Sequence, residues 1–292
     1  MPAHSPSSPS ADAPEKVSPH ARPDDWREAN RALWDERVPI HLASDYYAQD
    51  DFLRRRDVLR DFETAEVGDV TGKSLLHLQC HFGQDTLSWA HRGAARVVGL
   101  DFSAPAIEAA RKLAASLGYG PERAQFVAAD VYDAVEAVPD PSYDIVYTGI
   151  GALCWLPDIQ RWADTAAALV APGGFLYLAE FHPVTDALDD RTGSRVAYDY
   201  FNRDAWEEEF PGTYADMDAA TTHNRKVEWQ HPLGDVISAL ATAGLRIEFL
   251  REHDRSLFQR YGSMVRGDDG YYRLPADQPR VPLMYSLKAT KA

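Results

Sequence analysis

Cysteine is scarce in this chain. The two present, Cys80 and Cys154, stand far apart in a sequence of 292 residues, with no C-x-x-C pair. That argues against a disulfide framework or a zinc finger and implies a reduced, cytoplasmic setting. Long apolar runs are missing too. Nothing approaches the roughly 18 consecutive apolar residues of a membrane span. The start, Met1-Pro2-Ala3-His4-Ser5, lacks the basic and apolar regions of a signal peptide. Positive charge is in deficit, with 30 Lys and Arg against 45 Asp and Glu, a net charge of −15. Such a field opposes nucleic acid, whose phosphates need basic contacts. The one basic run, Arg54-Arg55-Arg56, is flanked by Asp50, Asp51 and Asp57. Metal-ligand spacing is absent as well. His77 and His81 fall across a strand and a turn rather than on one helix face, and Glu207-Glu208-Glu209 reads as a solvated face, so no metal is expected.

What is present is an ordinary globular composition, 45% hydrophobic and 26% charged. Residues 1–23 hold six of the nineteen prolines and five serines, and read as a disordered tail. Residues 24–292 read as one elaborated domain. Trp26, Ala29, Leu33 and Trp34 recur at helical spacing, a second helix follows Asp51, and His41 to Tyr47 reads as an aromatic connection between them. Strand and helix then alternate. Ser74–Gln79, Arg96–Asp101, Gln125–Ala129, Tyr143–Thr148 and Phe175–Phe181 read as strands. The helices between them are capped by Ser103 and Asp158 and stopped by Gly93, Gly118 and Pro172-Gly173-Gly174. This rhythm predicts right-handed βαβ units and a sheet covered on both faces. Residues 183–229 interrupt it with 11 acids, 5 bases and many aromatics, an insertion after the fifth strand. A helix from Leu233 and strands at Leu245–Leu250 and about 283–290 complete the chain.

In an open parallel sheet, ligands bind beyond the carboxyl ends of the strands where strand order reverses. The first strand ends in Gln79-Cys80-His81-Phe82-Gly83, the second in Asp101 and the third before Asp130. An acid at the second position accepts hydrogen bonds from ribose hydroxyls. A diphosphate would want G-x-G-x-x-G, of which only Gly83 remains, so a dinucleotide fits poorly.

The pieces LLHLQCHFGQDTL, VVGLDFSAPAI, FVAADVYD, YDIVYTGIGAL and LVAPGGFLYL, in this order and spacing, resemble the class I (Rossmann-like) S-adenosylmethionine-dependent methyltransferases. The resemblance implies an α/β fold: a seven-stranded, mostly parallel sheet with helices on both faces, an N-terminal helical lid over residues 24–66 and the insertion at 183–229. It implies S-adenosylmethionine as cofactor. Asp101 would hold the ribose, Phe102 and Val131 would meet the adenine, and Asp130 would accept from its amino group. Thr148 and Gly149 would line the methyl end. The chain departs from the family's first motif, an acid followed by three alternating glycines. Those positions hold His77, Gln79, His81 and Gly83. Two glycines are missing, which implies a wider turn or one in which Gln79 and His81 reach the ligand themselves.

On the substrate side, His182 ends the fifth strand and is the candidate general base. Glu180 shares its strand parity and reads as an orienting acid. Tyr46, Tyr47, Trp155, His223 and His231 are candidate substrate contacts. Trp26 and Trp34 read as core, and Cys80 as a buried filler whose pKa a charged His81 would lower. The expected function is methyl transfer to a small organic molecule; the acidity of the insertion suits a cationic or nitrogen-containing one. The alternatives are non-methyl sulfonium chemistry (cyclisation or elimination) and a non-catalytic binding protein on this scaffold.

Overall fold

The computed structural model describes residues 23–292, so the proline-rich stretch read as a disordered tail lies, but for its last residue, outside the described residues. Three helices come first: α1 (Pro23–Ala43), α2 (Gln49–Arg55) and α3 (Asp61–Val67). The alternating region follows as β1 (Ser74–Leu78), α4 (Gln84–His91), β2 (Arg96–Asp101), α5 (Ala104–Ser116) and β3 (Ala124–Ala128). A short α6 (Ala134–Ala137), β4 (Tyr143–Thr148), α7 (Ile159–Leu169) and β5 (Val170–Phe181) continue it. After the insertion come α8 (Leu233–Thr242), β6 (Leu245–His253) and β7 (Met284–Lys291).

These seven strands form one sheet in the order β3-β2-β1-β4-β5-β7-β6. The first five run parallel, and β7 lies antiparallel between β5 and β6. The chain therefore leaves β1 in one direction through β2 and β3, then returns to the other side at β4. That reversal opens the crevice at the β1/β4 ends.

Local chemistry explains the boundaries. Ser103 Oγ accepts from Ala106 N–H and Asp158 Oδ1 from Arg161 N–H, so both helices begin on the capping residues read from the sequence. The strands between are buried on both faces, as a doubly covered sheet requires. One apolar cluster sits under α7 and α8, with Trp162, Leu176 and Leu287 at its centre. The other lies under α3, α4 and α5 around Trp89, Ile107 and Tyr177. Two sequence-based boundaries shift. Helix α1 continues through His41 to Ala43, placing His41 inside a helix rather than a connection. Strand β5 begins at Val170, and the Pro172-Gly173-Gly174 segment forms an irregularity within it rather than the end of α7.

Helix α3 is fastened to the sheet by carboxylates rather than by apolar contact alone. Glu63 Oε1 accepts from Tyr147 Oη at 2.5 Å and Glu66 Oε2 from Tyr177 Oη at 2.8 Å; Arg251 Nη1 also donates to Glu66. Burial is the main cause that pushes the Glu63 carboxyl up from its ordinary 4.5 to about 7, with the Asp85 charge adding to it. The folded state therefore holds this proton more tightly than the unfolded chain, and stability falls as pH rises from about 4.5 to about 7. Glu63→Gln keeps an acceptor for Tyr147 and removes the ionisation. Urea unfolding across this pH range should show a shallower loss of stability in the variant. A residual slope of the same sign remains from Asp101, pushed up to about 6 by burial.

Candidate cofactor and substrate site

At the end of β1 the backbone turns through Gln79, Cys80, His81, Phe82 and Gly83. Gln79 (φ 58°), His81 (φ 51°) and Gly83 (φ 80°) are all left-handed. The missing glycines therefore do not widen the turn: Gln79 and His81 adopt the left-handed conformation that glycine takes readily, at a cost of roughly 1–2 kcal/mol each. Local bonds offset it. Cys80 N–H donates to Leu100 O, His81 N–H to Asp101 Oδ2 at 2.8 Å, and Gly83 N–H to Cys80 O. The Gln79 amide nitrogen donates to Ala152 O at 2.9 Å. Gly83 has a packing reason too, since a β-carbon there would stand 2.6 Å from the Phe126 ring.

This turn forms one side of a cavity of about 150 Å³ that opens to solvent. Gln79, His81, Asp101, Phe102, Asp130 and Val131 all line it, as do Tyr47 and Trp155. Asp101 has one oxygen on His81 N–H and the other on Ser103 N–H, and burial raises its carboxyl despite both bonds. Asp130 caps the turn after β3 through Tyr132 N–H, and its second oxygen lies 2.7 Å from Arg27 Nε of α1. The side-chain amide oxygen of Gln79, Oε1, is buried without a hydrogen-bond partner among the described residues. That orphaned acceptor and the two acids are the polar groups a nucleoside-bearing ligand needs in an otherwise apolar crevice.

The opposite wall comes from α1 and the insertion. Trp26, Asn30 and Trp34, spaced four apart on α1, line the cavity. Trp26 and Trp34 thus do more than fill the core, and the i, i+4, i+8 spacing was the signal for it. Trp34 meets His41, His81 and Trp155 edge-on at 5.2–5.9 Å. Tyr47 stacks on His81 at 5.6 Å. Within the insertion, Trp206–Glu209 pairs with Arg225–Glu228 as a hairpin, and Tyr214 in its connecting loop also lines the cavity. The Asn30 amide exchanges two hydrogen bonds with Val227, completing that strand's edge as a backbone unit would. Nothing in the sequence pattern of the insertion singles out Tyr214.

Burial is the largest cause pushing His41 down to about 4, the Arg37 charge adding to it, and it pushes His81 well below its ordinary value, so both rings are neutral at pH 7. Cys80 is correspondingly inert. Burial, then the Asp101 charge, pushes its thiol up, the reverse of the activation that a charged His81 would give.

Other candidates lie off the cavity. Thr148 is fully buried, and Gly83 and Gly149 do not line it. Tyr46 stands 49% exposed. The His223 backbone N–H bonds Glu36, and the residue borders a separate shallow depression. His231 Nε2 is tied to Leu156 O at 2.7 Å. His182 is buried; its Nδ1 accepts from Val184 N–H at 3.1 Å, and its Nε2 lies 3.1 Å from Glu252. Glu180 takes four backbone N–H groups, those of Gly151, Ala152, Leu153 and Phe181, and so anchors the loop after β4. None of the insertion's acids lines the cavity, and some face bases instead, Glu207 with Arg225 and Glu208 with Lys226. The carboxylates on the cavity wall are Asp101 and Asp130.

A doubly wound sheet with a crevice at its switch point, Asp101 ending β2 and Asp130 shortly after β3, is the α/β architecture that binds ligands at its strand ends. Residues 75–174 match the family described as methyltransferase domain. That stretch is similar to a methyltransferase domain and runs from β1 into β5, through the parallel part of the sheet. Among solved structures it is similar to an S-adenosylmethionine-dependent methyltransferase from Mesorhizobium loti. That likeness has a TM-score of 0.54 at 22% identity, over 83% of this chain and 97% of that one. The CcbJ methyltransferase from Streptomyces caelestis gives a TM-score of 0.57 at 14% identity, over 89% and 98%. No curated protein matches the sequence at a significant level.

His182→Ala removes a capping acceptor, so the melting temperature should fall by the few degrees that a loss of ~1 kcal/mol produces. Affinity for S-adenosylhomocysteine, measured by calorimetry, should stay within a factor of two or so.

Proposed function

We propose that this protein transfers the methyl group of S-adenosylmethionine to a small organic molecule with a planar or apolar body. The observation that carries the reading is the single cavity on which Asp101, Phe102, Asp130 and Val131 meet Trp34, Tyr47, Trp155 and Tyr214. The first four suit the nucleoside: Asp101 for the ribose hydroxyls, Asp130 for the adenine amino group, and Phe102 and Val131 for the ring. The aromatic residues suit the body of the acceptor, and their faces also favour the positive sulfonium. When bound, the cofactor supplies an electrophilic methyl carbon.

The chain's own contribution is to hold the acceptor in line and keep water out. Positioning of this kind accounts for much of the rate of a displacement that needs no covalent step on the protein. Helix α1 and the Tyr214 loop serve as the cover. α1 is fixed to the cofactor side by Arg27–Asp130 and by Ser103 Oγ donating to Asp35, and to the insertion by Asn30–Val227. The general base expected at His182 has no place in this reading, because that ring is occupied elsewhere.

The test is turnover with S-adenosylmethionine against a panel of phenols, amines and carboxylic acids, followed by mass spectrometry. S-adenosylhomocysteine together with a methylated acceptor is expected. Methylthioadenosine as product would overturn methyl transfer in favour of other sulfonium chemistry. Asp101→Ala should weaken S-adenosylhomocysteine binding by roughly 1–3 kcal/mol, the loss of a buried acceptor. Unchanged binding in calorimetry would contradict the ribose role.

A further inference from the structure

The cavity wall offers few groups able to take a proton from an acceptor. Asp101 is held by the His81 and Ser103 N–H groups, and Asp130 by Tyr132 N–H and Arg27. Among the described residues no lysine or arginine lines the cavity, so a carboxylate or phosphate acceptor would find no counter-charge there. The remaining base on the wall is His81. Its ring is stacked on Tyr47 at 5.6 Å and meets Trp34 edge-on at 5.3 Å, which puts it among the rings assigned to the acceptor.

His81 is held from behind. Its Nε2 lies 3.4 Å from Nδ1 of His41, a fully buried side chain of α1, so one proton bridges the two rings. Its Nδ1 has no hydrogen-bond or ion-pair partner among the described residues. Burial above all keeps both rings neutral, and Arg37, one helical turn before His41, opposes a cation here. Tyr47, Tyr214 and Asp101 are the other titratable groups packed around the pair.

A weak base already free of its proton suits a hydroxyl better than an amine. An alkylamine at neutral pH carries a proton that must leave before attack, which a weak base does poorly. A hydroxyl proton becomes strongly acidic as its oxygen gains the methyl group, and a weak base accepts it then. The aromatic walls favour a planar carrier of that hydroxyl, a phenol.

We propose that His81 Nδ1 is the general base for a phenolic hydroxyl, with His41 holding the ring through Nε2. The phenol oxygen bonds the methyl carbon while the carbon–sulfur bond breaks, and that electron pair stays on sulfur. The hydroxyl proton passes to His81 and then to water. This assignment rests on the methyl-transfer reading and names its acceptor class.

Two phenols test it, one un-ionised and a nitrophenol that has lost its proton in solution and needs no base. His81→Gly suits the left-handed backbone and removes the ring. It should slow the un-ionised phenol roughly 100-fold or more and the nitrophenol roughly tenfold or less. Added imidazole should restore part of the loss, and pyrazole, a ring of the same size and far weaker basicity, should not. Affinity for S-adenosylhomocysteine in calorimetry should stay within about threefold. His41→Phe, which keeps a flat ring without nitrogen, should show a smaller split of the same sign between the two phenols. If His81→Gly does not fold, His81→Asn, which tolerates that backbone, carries the comparison. Equal loss with both phenols, equal rescue by both rings, or methylation of amines alone would overturn the inference and leave methyl transfer standing. If the unaltered protein methylates no acceptor, the methyl-transfer reading falls and the inference with it.

Discussion

The backbone of Gln79 to Gly83 makes three left-handed turns within five residues, two of them at residues that carry side chains. A conformation of that kind persists only where its surroundings over-determine it. Here the surroundings are the end of β2 and the loop after β4. Asp101 holds the His81 N–H, Leu100 holds the Cys80 N–H, and Ala152 holds the Gln79 side chain. The bond that fixes the turn thus also fixes the Asp101 carboxylate facing the crevice. A shift of the turn would move the Asp101 carboxylate, the His81 ring and the start of α4 together.

The rest of the site follows from that anchoring. His81 stands where Trp34 and Tyr47 pack against it, so α1 and the segment after it are positioned by the turn rather than by the sheet alone. α1 in turn carries the insertion hairpin through Asn30, Glu36 and Arg37, whose side chains bond Val227, Thr222 and the backbone of Phe210. Glu207, Glu208 and Glu228 of the insertion pair with its own Arg225 and Lys226, and no carboxylate of the insertion lines the cavity. The large negative charge of the chain therefore says little about the substrate, and the aromatic wall says more.

Much of this was legible in the sequence because the relevant signals are local. Ser103 and Asp158 cap helices, and Asp101 and Asp130 follow strands whose apolar runs leave no other reading. Glycine spacing alone suggested a wide turn at 79–83, since it cannot show that hydrogen bonds from β2 will hold non-glycine residues left-handed. His182 looked catalytic because strand order places it at the mouth of the crevice. What claims its ring is Val184, two residues on, and Glu252, on a strand 70 residues away. His41 and Tyr214 were illegible for the same reason: the first was assigned to a connection that α1 absorbs, and the second reaches the cavity only through the tertiary path of its loop.

The left-handed turn and Asp101 are bonded into one floor of the crevice, on which we propose a nucleoside cofactor rests. A crystal structure with S-adenosylhomocysteine tests it most directly. The account predicts ribose hydroxyls on Asp101, adenine between Phe102 and Val131, and positive φ retained at Gln79 and His81. A ligand bound elsewhere, or a turn that unwinds to admit it, would contradict the account.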